Sequence, residues 1–219
     1  MIFREIKYLI KKEILQEWKQ KYAFQGLLLY VVSTVFVCYL SFRHIIDPPT
    51  WNALLWIILL FAGVNAVAKS FMQESRGRML YYYTLANAAS IIMAKTIYSL
   101  LLMIILSIVS LAFYSLFVGS PVQNYQMYFV AMILGSAGLA SVLSMVSAIA
   151  SKAGSNTTLM AILGFPILIP LLMTTIRFSK NAMDGLAWSV SYNLMIILIA
   201  LNVMVIALSY LLFPYLWRE

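Results

Sequence analysis

The residues Lys69–Lys95, KSFMQESRGRMLYYYTLANAASIIMAK, interrupt an otherwise apolar chain and govern how its remaining parts are arranged. This charged segment, which is also rich in tyrosine, lies between two long apolar blocks. The chain of 219 residues is 63% hydrophobic and 10% charged, with a mean hydropathy of +0.92. Soluble domains carry about 25% charged residues. The composition therefore indicates apolar blocks that lie in lipid.

Several classes of protein are disfavoured by the same composition. The net charge of +8 is explained by basic loops beside membrane spans rather than by nucleic-acid binding. Ion-coupled carriers usually hold an ionisable group inside a span, whereas the carboxylates here lie in loops or near the chain ends: Glu5, Glu13, Glu17, Asp47, Glu74, Asp184 and Glu219. One histidine, His44, and one cysteine, Cys38, cannot supply a bis-histidine site or a disulfide within one chain.

The apolar blocks predict an all-α integral membrane protein in which residues 1–219 form one domain. Apolar residues at helical spacing with a basic polar face predict an amphipathic elbow helix over residues 1–21, lying in the headgroup region. This helix either only orients the chain or also touches a partner. Span lengths of about 20 residues and the turn at Gly119-Ser120-Pro121 predict six transmembrane helices: residues 22–42, 51–68, 96–117, 125–151, 157–176 and 192–214. Trp51 opens the second span and is expected to be an interfacial tryptophan. The residues between the last two spans, Arg177–Ser191, are predicted to form a polar loop.

The distribution of cations predicts the orientation. Six spans place both termini and the charged segment on one side of the membrane. Twelve of the 15 Lys and Arg residues fall on that side. By the positive-inside rule, the termini and the charged segment are expected in the cytoplasm.

Two features of the spans have more than one interpretation. Small residues recur on one face of the fourth span, including Ser141, Ser144 and Ser151. They favour either packing within the bundle or a dimer or moving interface. In the fifth span, Pro166 and Pro170 each remove a backbone donor, and predict either a static kink or a hinge that lines a substrate path.

The chain contains no phosphate loop of the form GxxxxGK[ST], so we expect that any ATP is hydrolysed by another polypeptide. We therefore do not expect an enzyme. A short helix in the charged segment, lying across the cytoplasmic mouth, would be a suitable place for such a partner to transmit motion. The alternative interpretation of Tyr81-Tyr82-Tyr83 is an aromatic belt at the membrane edge.

At these residues the chain resembles the CcmB family, the ABC-2 type permeases of the cytochrome c maturation haem exporter. The resemblance spans essentially the full length. It is carried by Glu74-x-x-Gly77-x-x-Leu80 with Lys95, and by ASVLSMVSAIASKAGSN followed by LMAILGFPILIPLLM, which holds the proline pair. The chain departs from many members at Asn87-Ala88, where they carry a proline.

The resemblance implies a homodimeric permease in the bacterial inner membrane. It also implies partners: a CcmA-like ATPase subunit that binds ATP, CcmC-like and CcmD-like membrane subunits, and a CcmE-like haem chaperone. Haem would be a transported or handled ligand. The region Glu74–Ile92 would be the coupling helix, and the residues expected to couple to the ATPase are Glu74, Ser75, Arg76, Gly77, Arg78, Leu80 and Tyr81. Two alternatives stay open: an ABC-2 permease for a lipid or drug, and a membrane scaffold that does not transport.

Overall fold

The computed structural model describes the backbone of residues 2–19, 21–42, 46–72, 87–152 and 157–217. Within these ranges the chain is all-helical and has no strand. The helices are α1 Ile2–Lys19, α2 Lys21–Phe42, α3 Pro48–Met72, α4 Ala88–Val118, α5 Tyr125–Lys152, α6 Thr157–Met183 and α7 Trp188–Trp217. The six helices α2–α7 are long and apolar enough to cross a membrane, as the sequence predicts.

Side-chain contacts between the helices fix their directions. The Trp51 indole N–H of α3 donates to the Gly119 carbonyl beyond the end of α4, at 2.9 Å, whereas Gly63 of α3 lies against Met103 of α4. Helices α3 and α4 are therefore antiparallel. The bundle has two ends, which are called the α1 end and the opposite end. The α1 end holds α1, the end of α3 and the start of α4, and the opposite end holds the start of α3 and the end of α4.

Helix α5 is the centre of the bundle. Of its apolar stretch, 72% is buried inside the chain, compared with 17–50% for the other five candidate spans. Glycine allows this close packing: Gly135 lies against Trp56 of α3 and Thr175 of α6, and Gly138 lies against Leu171. A Cβ atom at either glycine would come within 2.5 Å of these side chains. Small residues on α5 therefore let its neighbours approach closely.

Short polar sequences make the turns at the opposite end. Asp47 caps α3, because its carboxylate accepts from the Thr50 N–H at 3.2 Å and Pro48-Pro49 occupy the first helical positions. Helix α4 ends before Gly119, whose φ of 85° favours glycine. Asn124 then caps α5 by accepting from the Met127 N–H at 3.1 Å. The fold-back within residues 96–151 thus lies where the sequence places it.

The structure places several helix ends beyond the predicted spans. Helix α3 continues to Met72 and α4 begins at Ala88, so both run beyond the predicted spans 51–68 and 96–117. The side chain of Asn87 caps α4 by accepting from the Ala89 N–H at 3.2 Å. The prediction of a polar loop over Arg177–Ser191 is wrong for most of its length.

Most of the segment Arg177–Ser191 is helical because one of its faces is buried. Helix α6 continues to Met183, and α7 begins at Trp188. Phe178, Ser179 and Ala182 are fully buried, whereas Arg177 and Lys180 are exposed on the other face. Lys180 also lies in the last turn of α6, where a cation is favourable for the helix dipole.

Candidate functional site

The first candidate region is the junction between α1 and the start of α4. The Ser90 hydroxyl donates to the Glu5 carboxylate at 2.9 Å. The Lys95 ammonium lies 3.8 Å from Glu13 Oε1, and the neighbouring Lys12 donates to that same oxygen at 3.0 Å. Helix α1 is therefore attached to α4 by polar contacts close to where the charged segment ends.

This junction is buried although it is ionic. Lys95 is 3% exposed and Glu13 is 9% exposed. Removing two charges from water costs free energy, which the attraction between them offsets only while both are present. Removing Lys95 or Glu13 would take away one member of this buried pair. The junction therefore depends on both side chains.

The predicted polar face of α1 is only partly correct. Arg4, Lys7 and Lys11 are exposed as expected, whereas Lys12 is half-buried. The described carboxylates face the protein, since Glu13 is buried and Glu5 is half-buried. Exposed cations and apolar side chains share the outer face: Arg4, Lys7, Tyr8, Lys11, Ile14 and Leu15. The sequence pattern did not separate the acids from the bases, because both are polar. The signal that could have found the pairing is Lys95, a cation at the edge of a long apolar span.

The predicted coupling residues lie outside the described residues: Glu74, Ser75, Arg76, Gly77, Arg78, Leu80 and Tyr81. The structure describes the two ends of this connection, Met72 of α3 and Asn87 before α4. The last part of the predicted coupling helix, Ala88–Ile92, forms the first turn of α4 instead. Asn87 is the capping residue at the position where the sequence departs from many family members.

The small residues of the fourth span lie inside the chain. Ser141 and Ser144 are fully buried, and the Ser141 hydroxyl donates to the Ala137 carbonyl at 2.8 Å. Ser151 is half-buried and donates to the Ala148 carbonyl at 2.8 Å. Both buried serines are covered by the chain's own helices. They do not form an exposed face on which another subunit could assemble.

The proline pair lies on the outer surface of α6. Pro166 and Pro170 are exposed, and α6 remains helical through both. Neither proline has an N–H to donate to the carbonyl four residues earlier, at Ile162 and at Pro166. Exposed apolar side chains continue this outer face: Ile162, Phe165, Ile169 and Met173. Any path lined by the prolines therefore runs outside this chain's own core.

The sequence did not predict a second buried cluster, which lies at the opposite end. The Asn52 amide donates to the Ile176 carbonyl at 2.9 Å and accepts from the Tyr128 hydroxyl at 3.2 Å. The Trp56 indole N–H donates to the Ser179 hydroxyl at 2.9 Å. These bonds join α3, α5 and α6. Trp51, at the start of the same helix α3, is only 1% exposed.

Trp51 was expected to lie at the interface, and the structure shows why it is buried instead. Its ring lies 4.7 Å from that of Tyr114 and 6.2 Å from that of Tyr128, measured between centroids. Its indole N–H donates to the Gly119 carbonyl.

Among the described residues, no group of three His, Cys, Asp or Glu side chains is arranged to hold a metal ion.

The sequence was compared with models of known protein families. The family model described as CcmB protein matches residues 7–215. The chain belongs to the CcmB family. The match begins within α1 and continues through α7, so it includes the junction, the charged segment and the proline pair. No curated protein matches the chain.

Membership in the CcmB family agrees with the all-helical bundle and its six candidate spans. This CcmB protein is an integral membrane protein and a haem exporter permease component of cytochrome c maturation. It is a member of a transporter complex with other Ccm subunits.

Proposed function

We propose that this CcmB protein is the permease subunit of an ATP-driven complex that exports haem or releases a haem chaperone during cytochrome c maturation. The observation that carries the proposal is the family match over residues 7–215. ATP would be bound and hydrolysed by a CcmA-like subunit. The protein would lie in the bacterial inner membrane with both termini in the cytoplasm, since 12 of its 15 Lys and Arg residues fall on that side.

The charged segment is the proposed docking surface for the ATPase. It joins the end of α3 to the start of α4, and both lie at the cation-rich α1 end of the bundle. Helix α4 packs against the central helix α5, so a displacement of its start would reach the core. We assign the coupling role to Glu74, Ser75, Arg76, Gly77, Arg78, Leu80 and Tyr81.

The outer face of α6 supports the proposed homodimer. Polar backbone groups that lack a partner within their helix are tolerated at membrane depth where protein or water covers them. The carbonyls of Ile162 and Pro166 lack their usual hydrogen-bond donor, because the residue four positions later is a proline without an N–H. Both prolines are exposed in the single chain. A second copy packed over this face would cover these groups, and the hinge role proposed for the proline pair belongs at that boundary.

We test the proposal by purifying the complex in mild detergent, with mass spectrometry and a haem absorption spectrum of the product. We expect a CcmA-like ATPase, CcmC-like and CcmD-like subunits and a CcmE-like chaperone to co-purify. Glu74→Lys, or deletion of residues 73–86, should abolish recovery of the ATPase.

Asp184→Lys is the matched control, because it makes the same charge change at an exposed position of the opposite end. Recovery of the ATPase with Glu74→Lys at the wild-type level would contradict the docking surface. Deletion of the gene should also abolish c-type cytochromes, since retained cytochromes would indicate a permease for a lipid or drug.

A further inference from the structure

Helix α1 separates its described charges in a way that a simple surface anchor does not require. Its described carboxylates Glu5 and Glu13 contact α4. Its cations Arg4, Lys7 and Lys11 are exposed, and Lys12 is half-buried beside Glu13. An interfacial helix needs only an apolar face toward the membrane and a polar face toward water. The inward carboxylates therefore call for a separate explanation.

We propose that Glu5 and Glu13 clamp α1 to the first two turns of α4, so that α1 and α4 move as one body when the complex works. Glu5 accepts from Ser90, and Glu13 pairs with Lys95. The two contacts are eight residues apart on α1 and five apart on α4, which prevents rotation about a single contact. Glu5, Ser90, Glu13 and Lys95 are thus positioning residues.

The burial of the ion pair makes the clamp persistent. Lys95 is 3% exposed, and α1 supplies the carboxylate that neutralises it. Moving α1 away would remove this carboxylate from the surroundings of a buried ammonium at the edge of an apolar span, which is unfavourable. The surrounding described charges are Lys12, which shares Glu13, and the outward cations of α1.

The position of the clamp gives it a consequence for transport. Ser90 and Lys95 lie in the last part of the charged segment, after the predicted coupling residues, and α4 begins at Ala88. This part of the inference rests on the proposed function, in which the ATPase acts on the charged segment. A force applied there reaches α1 and α4 together, and α1 carries it to the membrane surface.

The clamp is tested by pulsed electron spin resonance distances in a variant with Cys38→Ala, which removes the single cysteine. Labels at Tyr8→Cys and Leu101→Cys report the separation of α1 and α4, since both positions are exposed. We expect a narrow distribution in the otherwise unchanged protein. In Glu13→Gln/Ser90→Ala the distance distribution should widen about twofold, because each of the two contacts between α1 and α4 loses one partner.

Two variants separate the clamp from a general loss of structure. Charge reversal by Glu13→Lys should widen the distribution, and Glu13→Lys/Lys95→Glu should restore it. Lys11→Gln and Asp184→Asn, which remove exposed charges of each sign, should leave it unchanged. An equally narrow distribution in Glu13→Gln/Ser90→Ala, or no recovery on double reversal, would overturn the clamp.

A second readout concerns coupling in the complete complex. The ratio of chaperone released to ATP hydrolysed should fall about tenfold in Glu13→Lys and recover in the double reversal, because transmission needs the restored pair. An unchanged ratio in Glu13→Lys, with the labels showing separation, would remove α1 from the force path. The isolated chain gives the distance result without any ATPase, so failure of the clamp and failure of the proposed function are distinguishable.

Discussion

At the scale of single residues, Asn52 is the side chain on which the opposite end of the bundle most depends. It is fully buried on α3, and it both donates to α6 and accepts from Tyr128 of α5. We expect Asn52→Leu to lower the free energy of unfolding by about 1–3 kcal/mol, since the buried Tyr128 hydroxyl would lose its acceptor. The change is measured by unfolding both proteins in detergent and monitoring the helical content by circular dichroism.

Asn65→Leu is the control for this substitution. Asn65 lies on the same helix but is exposed and bonds only within it, at the Phe61 carbonyl. Adding Tyr128→Phe to Asn52→Leu should recover part of the lost stability, because the unpaired hydroxyl is removed with it. Equal losses in Asn52→Leu and Asn65→Leu would rule out the interhelical bond as the cause.

Gly135 sets how closely α3 and α6 approach the central helix. A Cβ at this position would come within 2.5 Å of Trp56 and of Thr175. Gly135→Ala is expected to cost about 1–3 kcal/mol of unfolding free energy through overpacking. Gly26→Ala on α2 has nothing within 4 Å, and should be neutral or stabilise by about 0.5–1 kcal/mol. Thermal unfolding of both variants in one detergent makes the comparison.

At the scale of the helix, the start of α3 carries a pH dependence. Hydrogen bonds from the hydroxyl and the backbone N–H of Thr50 hold the pKa of Asp47 below its usual value. A lowered folded pKa gives stability that is complete above the unfolded pKa and is lost as pH falls through the folded pKa. Wild type should therefore exceed Asp47→Asn in melting temperature near neutral pH, and the difference should shrink below about pH 4.

The control for Asp47 is Asp184→Asn, in the exposed turn between α6 and α7. Melting temperatures measured in one detergent from pH 7 to pH 3 give both comparisons. A difference between wild type and Asp47→Asn that stays constant over this range would show that the charge of the cap does not contribute.

Hydropathy predicted the number of helices but not their ends, for a reason visible in α6. The sequence ends this span near Arg177, where charge appears, yet Phe178 and Ala182 bury the next turns against the bundle. Hydropathy reports the length that fits lipid, whereas packing decides where a helix ends. Asn87 shows the same limit, since one amide side chain starts α4 before the apolar run begins.

The candidate sites depended on partners that are distant in sequence. A pattern along one helix could identify Glu13 as polar, but only the approach of α4 shows that it faces Lys95. In the same way, Trp51 resembled a membrane-edge residue until the Gly119 carbonyl and Tyr114 were seen around it. The small residues of α5 and the fold-back at Gly119 were visible in advance, because they depend on local composition.

At the scale of the whole molecule, helices α2–α7 alternate in direction, so each turn between them lies at one of the two ends of the bundle. Lys95 and the described cations of α1 lie at the α1 end, whereas Arg177 and Lys180 lie at the opposite end. The positive-inside rule then predicts that the charged segment faces the cytoplasm. The proposed ATPase contact depends on this orientation, so the orientation is the prediction with the widest consequences.

The orientation is tested with single cysteines in a Cys38→Ala background and a thiol reagent that does not cross membranes. Ser75→Cys in the charged segment should react only after the cells are permeabilised. Ser120→Cys and Asp184→Cys lie in exposed turns of the opposite end and should react in intact cells. Because the helices fix these turns relative to one another, the reverse pattern would invert the whole molecule. An ATPase in the cytoplasm could then no longer reach the charged segment, and the proposed mechanism would fail.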